Sequence, residues 1–364
     1  MTTTVDTRNY RAKQFVLECI EQARRKPLTP VISRANSVEL NLLQELIPIS
    51  AMGFRGVVLT GIVGKYLDPS FNPLSDFYNC NPRSIFEHGI YYALQESGIP
   101  CGKSDPLNVA KNIQKLDYDW AKGRRPEAAA RAAVDYLKLL DKAKGTDAYE
   151  NLLYLYFRKL IDFADYVSSQ SAPLVTHHGE APITAALRLA KFAVECPEGG
   201  TIPQFILGNL IELSRKSDSR YKAVLGVAES VFGTNTTSKK PADAWELLSD
   251  GKIGALYEIT VKIVDTKRLE DCVENLRKLN LAENFVTFIC RIPQDISSLP
   301  VIDGALNFKG VRFQFFDIHA FTITAYCNLP EYDRGMMMHR LESFVADVNR
   351  QLKTKQYWKE NFGS

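Results

Sequence analysis

Three side chains between residues 243 and 262 have the types and the spacing that metal-dependent phosphate chemistry needs. Asp243 follows a loop that ends in Pro241, and it begins the segment DAWELLSDGKIGALYEITVK, which contains Glu258 and Lys262. Carboxylates from neighbouring strands can hold Mg²⁺, which lowers the pKa of a coordinated water and stabilises charge on a phosphate. A lysine beside them can orient the attacking water or offset the developing negative charge. These residues therefore predict phosphodiester hydrolysis, with Asp243 and Glu258 as Mg²⁺ ligands and Lys262 as the catalytic cation.

The strand that we predict over residues 253–264 gives two of these side chains a common face. Residues of equal parity share a face of a strand, so Glu258 and Lys262 point to one side and the apolar odd-numbered residues to the other. An acid and a base between buried apolar residues are costly unless they have a role. An edge strand that carries a solvated Glu258 and Lys262 remains an alternative at this point.

The segments after Glu258 predict a strand–helix–strand unit. Residues 266–279 place apolar side chains on one helical face, with Asp265 or Thr266 as the N-cap, and residues 285–292 form an apolar strand. This order predicts a right-handed crossover between two buried parallel strands.

Other segments extend this α/β region in both directions. Residues 311–316 and 320–327 suggest two more strands, residues 334–352 predict a closing helix, and the first half of the chain is mainly helical. Within that half, residues 33–103 fit either strands or helices. We predict a mixed α/β fold, with α+β as an alternative. A helical N-terminal region, residues 1–200, precedes an α/β core, residues 201–364, which has a central mixed sheet flanked by helices. The boundary stays open, because helices before the sheet could belong to either part.

Composition restricts the class of protein without identifying it. The 364 residues carry a net charge of +3, which excludes a blanket of positive charge but not DNA binding through local clusters. Seven scattered cysteines without a C-x-x-C pair argue against a disulfide framework or a structural zinc site. The N-terminus does not resemble a signal peptide, and no apolar run approaches the ~20 residues of a membrane span. We therefore expect a cytoplasmic protein that has no membrane association.

The arrangement of Asp243, Glu258 and Lys262 resembles the core of PD-(D/E)xK nucleases, in which an Asp precedes a strand that carries Glu-x-Lys. The sequence departs from that pattern at two positions. Ala242 stands where the family has proline, and Thr260 stands where it has lysine, so that Lys262 lies four residues after Glu258. The parity of the strand is preserved, and a long lysine side chain can reach back by one pleat.

The wider chain resembles type II restriction endonucleases of the SacI type. The matching segments occur in order along about two thirds of the chain: FRGVVLTGIVGKYLDPSFNP, RSIFEHGIYYALQESGIPCG, DPLNVAKN and DAWELLSDGKIGALYEITVK. This resemblance implies Mg²⁺-dependent cleavage of double-stranded DNA at a short palindrome by a homodimer. It also implies a cognate DNA methyltransferase as the functional counterpart, and the N-terminal region as the part that contacts DNA.

Five further residues are candidates for the site, each with a simpler interpretation beside it. Glu229, in the helical segment AVLGVAESVFG, could add a metal ligand or be an ordinary solvated glutamate. Arg83 and His88 could contact phosphate or a base edge, although His88 also suits a structural role. Arg124 and Arg125 belong to a basic cluster that could hold DNA phosphates or simply be a solvated face.

The sequence supports one main hypothesis on function and two alternatives. The main hypothesis is a type II restriction endonuclease. The first alternative is a nuclease with the same core that serves repair or recombination, and discrete plasmid fragments would separate the two. The second is a non-enzymatic helical interaction protein, in which Glu258 and Lys262 are surface residues.

Overall fold

The computed structural model describes residues 5–143, 145–174, 180–227, 240–281 and 285–363. The chain forms two compact units. One covers the chain up to Gln170 together with Asp347–Leu352, and the other covers Ser171–Ala346 and the residues from Lys353 onward. The division therefore comes before the boundary predicted at residue 200. The helices Pro182–Glu195 and Thr201–Arg215 belong to the second unit because their apolar faces share a core with the sheet.

The first unit is built from helices, which we number in chain order. They are α1 Val5–Arg25, α2 Pro30–Ala35, α3 Ser37–Leu46, α4 Gly53–Leu67, α5 Pro82–Ile85, α6 Tyr91–Glu96, α7 Asp105–Ala110, α8 Tyr118–Ala121, α9 Glu127–Lys142 and α10 Thr146–Ser169, with a 3₁₀ turn at Phe77–Cys80 and a π-helical turn at Phe86–Ile90. Helix α4 is buried from Gly53 to Gly64 without interruption. A helix that is apolar all round shows no amphipathic period, which is why residues 33–103 fitted strand and helix equally well.

The second unit contains a six-stranded mixed sheet in the order β1-β2-β3-β4-β6-β5. Its strands are β1 Tyr221–Leu225, β2 Ala244–Leu248, β3 Ile253–Ile259, β4 Phe285–Cys290, β5 Ala305–Phe308 and β6 Val311–Asp317. Strands β3, β4 and β6 run parallel, whereas β1–β2, β2–β3 and β5–β6 pair antiparallel. The predicted mixed sheet is therefore confirmed, and the parallel pairing of β3 with β4 is the one that the crossover predicted.

Helices cover both faces of this sheet. They are α11 Pro182–Glu195, α12 Thr201–Arg215, α13 Thr266–Lys278, α14 Ile318–Asn328, α15 Glu331–Ala346 and α16 Leu352–Asn361. Tyr257 and Ile259 of β3 pack into the core shared with α11, α12, α14 and α15. Leu256, the residue before Tyr257, packs into the other core with the apolar side of α13. The side chains of β3 thus alternate as predicted, and its two faces pack into two different buried cores.

One predicted strand is a helix. Residues 320–327 lie in α14, which begins after Asp317, where the Asp317 carboxylate accepts a hydrogen bond of 2.9 Å from the amide of Ala320. Because this cap starts a helix directly after β6, the strand prediction for residues 320–327 is wrong. The antiparallel partner of β6 is instead β5. The closing helix predicted over residues 334–352 is likewise two helices, since α15 ends at Ala346 and α16 begins at Leu352.

The remaining observations concern the state of the cysteines and the hydrophobicity of the helices. The seven cysteines are free thiols. Within the ranges that the structure describes, no helix combines the length and the apolar character that crossing a membrane requires.

Candidate active site

The pairing of β2 with β3 places Asp243 beside Glu258. Ala244 lies opposite Tyr257, and Trp245 lies opposite Leu256. When this register is extended by one residue, Asp243 falls opposite Glu258, and opposite residues of an antiparallel pair project from the same face. A hydrogen bond fixes the arrangement, because Oδ2 of Asp243 accepts from the backbone amide of Ile259 at 2.9 Å. The two acidic residues therefore occupy neighbouring positions at one end of the hairpin.

Glu258 is a buried carboxylate in an interior strand. Its exposed fraction is 6%, and β3 lies between β2 and β4 in the sheet. Nη2 of Arg268, on α13, lies 3.6 Å from Oε2 of Glu258. The alternative of a solvated edge strand is therefore wrong for Glu258. Burying a carboxylate is unfavourable unless charge or hydrogen bonds offset the cost, so the adjacent guanidinium is a stabilising partner.

Cys272 on α13 responds to both carboxylates. Burial raises the pKa of the Cys272 thiol well above its usual value, and the negative charges of Glu258 and Asp243 raise it further, against the opposing effect of Arg268. Cys272 lines the same cleft as Glu258 and Arg268.

Lys262 does not lie on the strand, which corrects the prediction for residues 253–264. Strand β3 ends at Ile259, and the backbone amide of Lys262 donates to Oγ1 of Thr260 at 3.0 Å. Thr260 thus closes a local turn, a common way for a threonine side chain to end regular structure. The parity argument consequently stops before Lys262, whose side chain is exposed.

An open cleft of about 560 Å³ lies along the outer side of α13. Glu258 and Arg268 line it together with Lys262 and one side of α13, which includes Lys267, Asp271, Glu274 and Lys278. The half-buried Asp243 does not line the cleft itself. The structure thus brings Glu258 and Lys262 to one cleft, whereas Asp243, opposite Glu258 in the β2–β3 pair, does not line it.

The loop that leads to Asp243 is held by two buried amides that the sequence analysis did not single out. Nδ2 of Asn275, on α13, donates to the carbonyl of Lys240 at 2.6 Å. Nε2 of Gln204, on α12, donates to the carbonyls of Asp243 at 3.0 Å and Gly226 at 3.1 Å. Both amides are at least nine-tenths buried. A polar residue on the apolar face of an amphipathic helix is the signal that could have found them.

The oxygen donors at this point are compatible with Mg²⁺, which prefers carboxylate and amide oxygens and retains several waters. The carboxylates are those of Asp243 and Glu258. The Oδ1 atom of Asn275, a residue that also lines the cleft, is buried without a hydrogen-bond partner. Glu229, the predicted third ligand, lies outside the described residues. Among the residues that are described, no group of three or more His, Cys, Asp or Glu side chains is arranged for a metal.

The four predicted DNA contacts all belong to the first unit. Arg83, on α5, is exposed and lies 3.6 Å from Glu87, and His88 is exposed in the π-helical turn. Arg124 and Arg125 lie just before α9. The Arg124 guanidinium lies over the ring of Trp120 at 5.8 Å, beside a shallow cleft of about 550 Å³ that also exposes Lys115 and Lys122. Arg125 is exposed. The guanidinium groups of Arg83 and Arg125 are thus accessible to a polyanion, whereas Arg124 is half-buried.

Comparison with family models and with curated sequences finds no relative. No protein-family model matches the chain, and no curated protein sequence is significantly similar to it. The resemblance to nucleases therefore remains a hypothesis that depends on the segments quoted above and on the arrangement of the site.

Proposed function

We propose that this protein is a Mg²⁺-dependent DNA endonuclease with a PD-(D/E)xK-like core, in which Asp243 and Glu258 hold the metal. The observation that carries the proposal is the pairing of Asp243 with the end of β3, next to a buried Glu258. The strand order and the α13 crossover also agree with the core that the resemblance implies. A buried carboxylate that lines a cleft, with a second carboxylate next to it, is typical of functional sites rather than of a solvated surface.

The chemistry follows from what each side chain can do. Mg²⁺ would lower the pKa of a bound water and stabilise negative charge on the phosphate. Asp243 and Glu258 would supply oxygen ligands, and Glu229 remains a candidate third ligand. Lys262, at the rim of the cleft, would orient the attacking water or offset the developing charge. Hydrolysis would proceed in one step, without a covalent intermediate.

The proposed substrate is double-stranded DNA with a short specific site, cut by a homodimer whose two-fold symmetry mirrors a palindrome. The resemblance to restriction endonucleases of the SacI type supports this part, and it implies a cognate methyltransferase and a cytoplasmic location. Arg83, His88, Arg124 and Arg125 are the proposed DNA contacts; Arg83, His88 and Arg125 are exposed, which is compatible with that role, and Arg124 is half-buried. The burial of Glu258 disfavours the interaction-protein alternative, which treats that residue as part of the surface.

Plasmid cleavage by the purified protein tests the proposal. Wild type with Mg²⁺ should give discrete fragments, whereas Glu258→Gln should give none. Glu270→Gln is a matched control, because Glu270 lies on α13, pairs with Lys309 and does not line the cleft. A smear of fragments would favour a repair or recombination nuclease. Equal cleavage by wild type and Glu258→Gln, or none by either, would contradict the proposed site.

A further inference from the structure

An arginine from the next helix, Arg268, places its charge next to Glu258. Nη1 of Arg268 donates to Oγ1 of Thr260 at 3.2 Å, and Nη2 lies 3.6 Å from Oε2 of Glu258. Thr260 occupies the position where the nuclease pattern places its lysine. The guanidinium is therefore bound to the residue at that position, although it comes from a residue ten positions after Glu258.

Several contacts hold Arg268 in this place. Its backbone amide donates to the capping carboxylate of Asp265 at 2.9 Å, which fixes the first turn of α13. Its guanidinium lies 5.9 Å from the centre of the Phe288 ring. The side chain is 29% exposed and lines the same cleft as Glu258. Lys262 lines that cleft too, but as an exposed residue beyond the end of the strand.

We propose that Arg268 is a second cation of the active site, which holds Glu258 while no metal is bound and donates to the substrate phosphate when Mg²⁺ is bound. This inference rests on the proposed nuclease function. The planar guanidinium suits both partners, because its parallel N–H groups fit carboxylate and phosphate oxygens equally well. Arg268 would thereby keep a buried carboxylate paired before the metal arrives.

The proposal predicts opposite effects on metal binding and on cleavage. A positive charge next to a metal ligand weakens cation binding, so its removal should strengthen it. In Arg268→Gln, the affinity for Ca²⁺ measured by calorimetry without DNA should rise about fivefold. Plasmid cleavage in Mg²⁺ should fall by about 100-fold, because a group that stabilises the reacting phosphate is lost. Substitution of a residue that only supports the fold would not strengthen metal binding.

Two further variants make the test decisive. Arg268→Lys keeps the charge but loses the fork, so it should retain wild-type Ca²⁺ affinity and cleave about tenfold more slowly. If Arg268→Gln has a lower melting temperature than the wild type, the comparison of Arg268→Lys with the wild type tests the proposal instead. Arg277→Ala removes an exposed cation on the same helix away from the cleft, and it should match the wild type in both assays.

The outcomes separate this inference from the proposed function. If Arg268→Gln and Arg268→Lys cut like the wild type while Glu258→Gln does not cut, Arg268 has no such role and the nuclease proposal stands. If a folded Arg268→Gln protein binds Ca²⁺ with the affinity of the wild type, the claim that the charge of Arg268 next to Glu258 weakens metal binding is contradicted. No cleavage by the wild type would overturn both.

Discussion

The side chain of Asp243 is bound to the backbone of the residue that follows Glu258, with 2.9 Å between Oδ2 of Asp243 and the amide nitrogen of Ile259. This bond ties the end of the loop before β2 to the end of β3, so it holds Asp243 next to the strand position of Glu258. It also gives Asp243 a structural contact besides its proposed metal ligation. Substitutions at Asp243 therefore have to be chosen so that the two contributions can be told apart.

Lys262→Ala tests the proposed catalytic cation at the rim of the cleft. Cleavage should fall by about 100-fold or more, because a positive charge near the reacting phosphate is lost. Binding of the cognate DNA, measured by gel shift in Ca²⁺, should be nearly unchanged. The control is Lys252→Ala, since Lys252 is exposed and paired with Asp250 at 3.0 Å. Full activity in Lys262→Ala would contradict the assignment, and a loss of activity in Lys252→Ala would transfer the role there.

Asn275→Ala tests the support of the loop that carries Asp243. The variant loses the 2.6 Å hydrogen bond from Asn275 to the carbonyl of Lys240, so the free energy of unfolding should fall by about 1 kcal/mol. Cleavage should fall as well, because the position of Asp243 becomes less fixed. Urea unfolding and a cleavage assay measure both quantities. Asn328→Ala, at an exposed helix end, is the control. An Asn275→Ala protein with unchanged cleavage would show that this bond does not support the site.

Asp105→Asn tests a pH dependence in the first unit. Burial raises the pKa of Asp105 to about 6, although the amide of Gly102 and the charge of Arg55 oppose this. Because the folded pKa lies above the unfolded value, the folded state binds the proton more tightly, and stability falls as pH rises from about 4 to about 6. Relative to the wild type, Asp105→Asn should therefore gain about 1–3 kcal/mol between pH 4 and pH 7. Urea unfolding at both pH values measures the difference, and an equal difference at both would contradict the assignment.

Arg124→Gln combined with Arg125→Gln tests the proposed DNA contacts of the first unit. Each phosphate contact releases counterions, so the double variant should bind DNA more weakly on any sequence. The slope of log affinity against log salt should become shallower by about 2. Fluorescence anisotropy across a salt series measures this slope. Arg25→Gln, another exposed arginine of the same unit, provides the control. An unchanged slope would remove both residues from the interface.

The elements around the site could be predicted where short-range patterns determine them. The cap at Asp265, the helix after it and the apolar strand β4 each follow from a few adjacent residues. The end of β3 is marked by an equally local contact, the hydrogen bond from the Lys262 amide to the Thr260 side chain, but the alternation of residue types continues beyond this point and does not show it. Residues 320–327 combine apolar and β-branched side chains that fit a strand, whereas the Asp317 cap begins a helix there.

The contacts that assemble the site were harder to foresee than its elements. The carboxylates of Asp243 and Glu258 were recognised from residue type and spacing. Arg268 was not, because its contact with Glu258 depends on how α13 packs across the sheet. The hydrogen bonds from Asn275 and Gln204 to the loop before β2 are also tertiary contacts; the helical period marks both amides as buried polar residues but does not show which carbonyls they reach.

The most direct test of the account compares Asp243→Ala and Asp243→Asn with the wild type, by gel shift in EDTA and by plasmid cleavage in Mg²⁺. Asp243→Asn keeps an oxygen that can accept from the Ile259 amide, so it separates the charge from the structural bond. Without metal, the carboxylates repel the DNA backbone, so both variants should bind cognate DNA at least as tightly as the wild type. Neither variant should cleave at any Mg²⁺ concentration. Cleavage by a folded Asp243→Ala or Asp243→Asn protein would contradict the catalytic assignment.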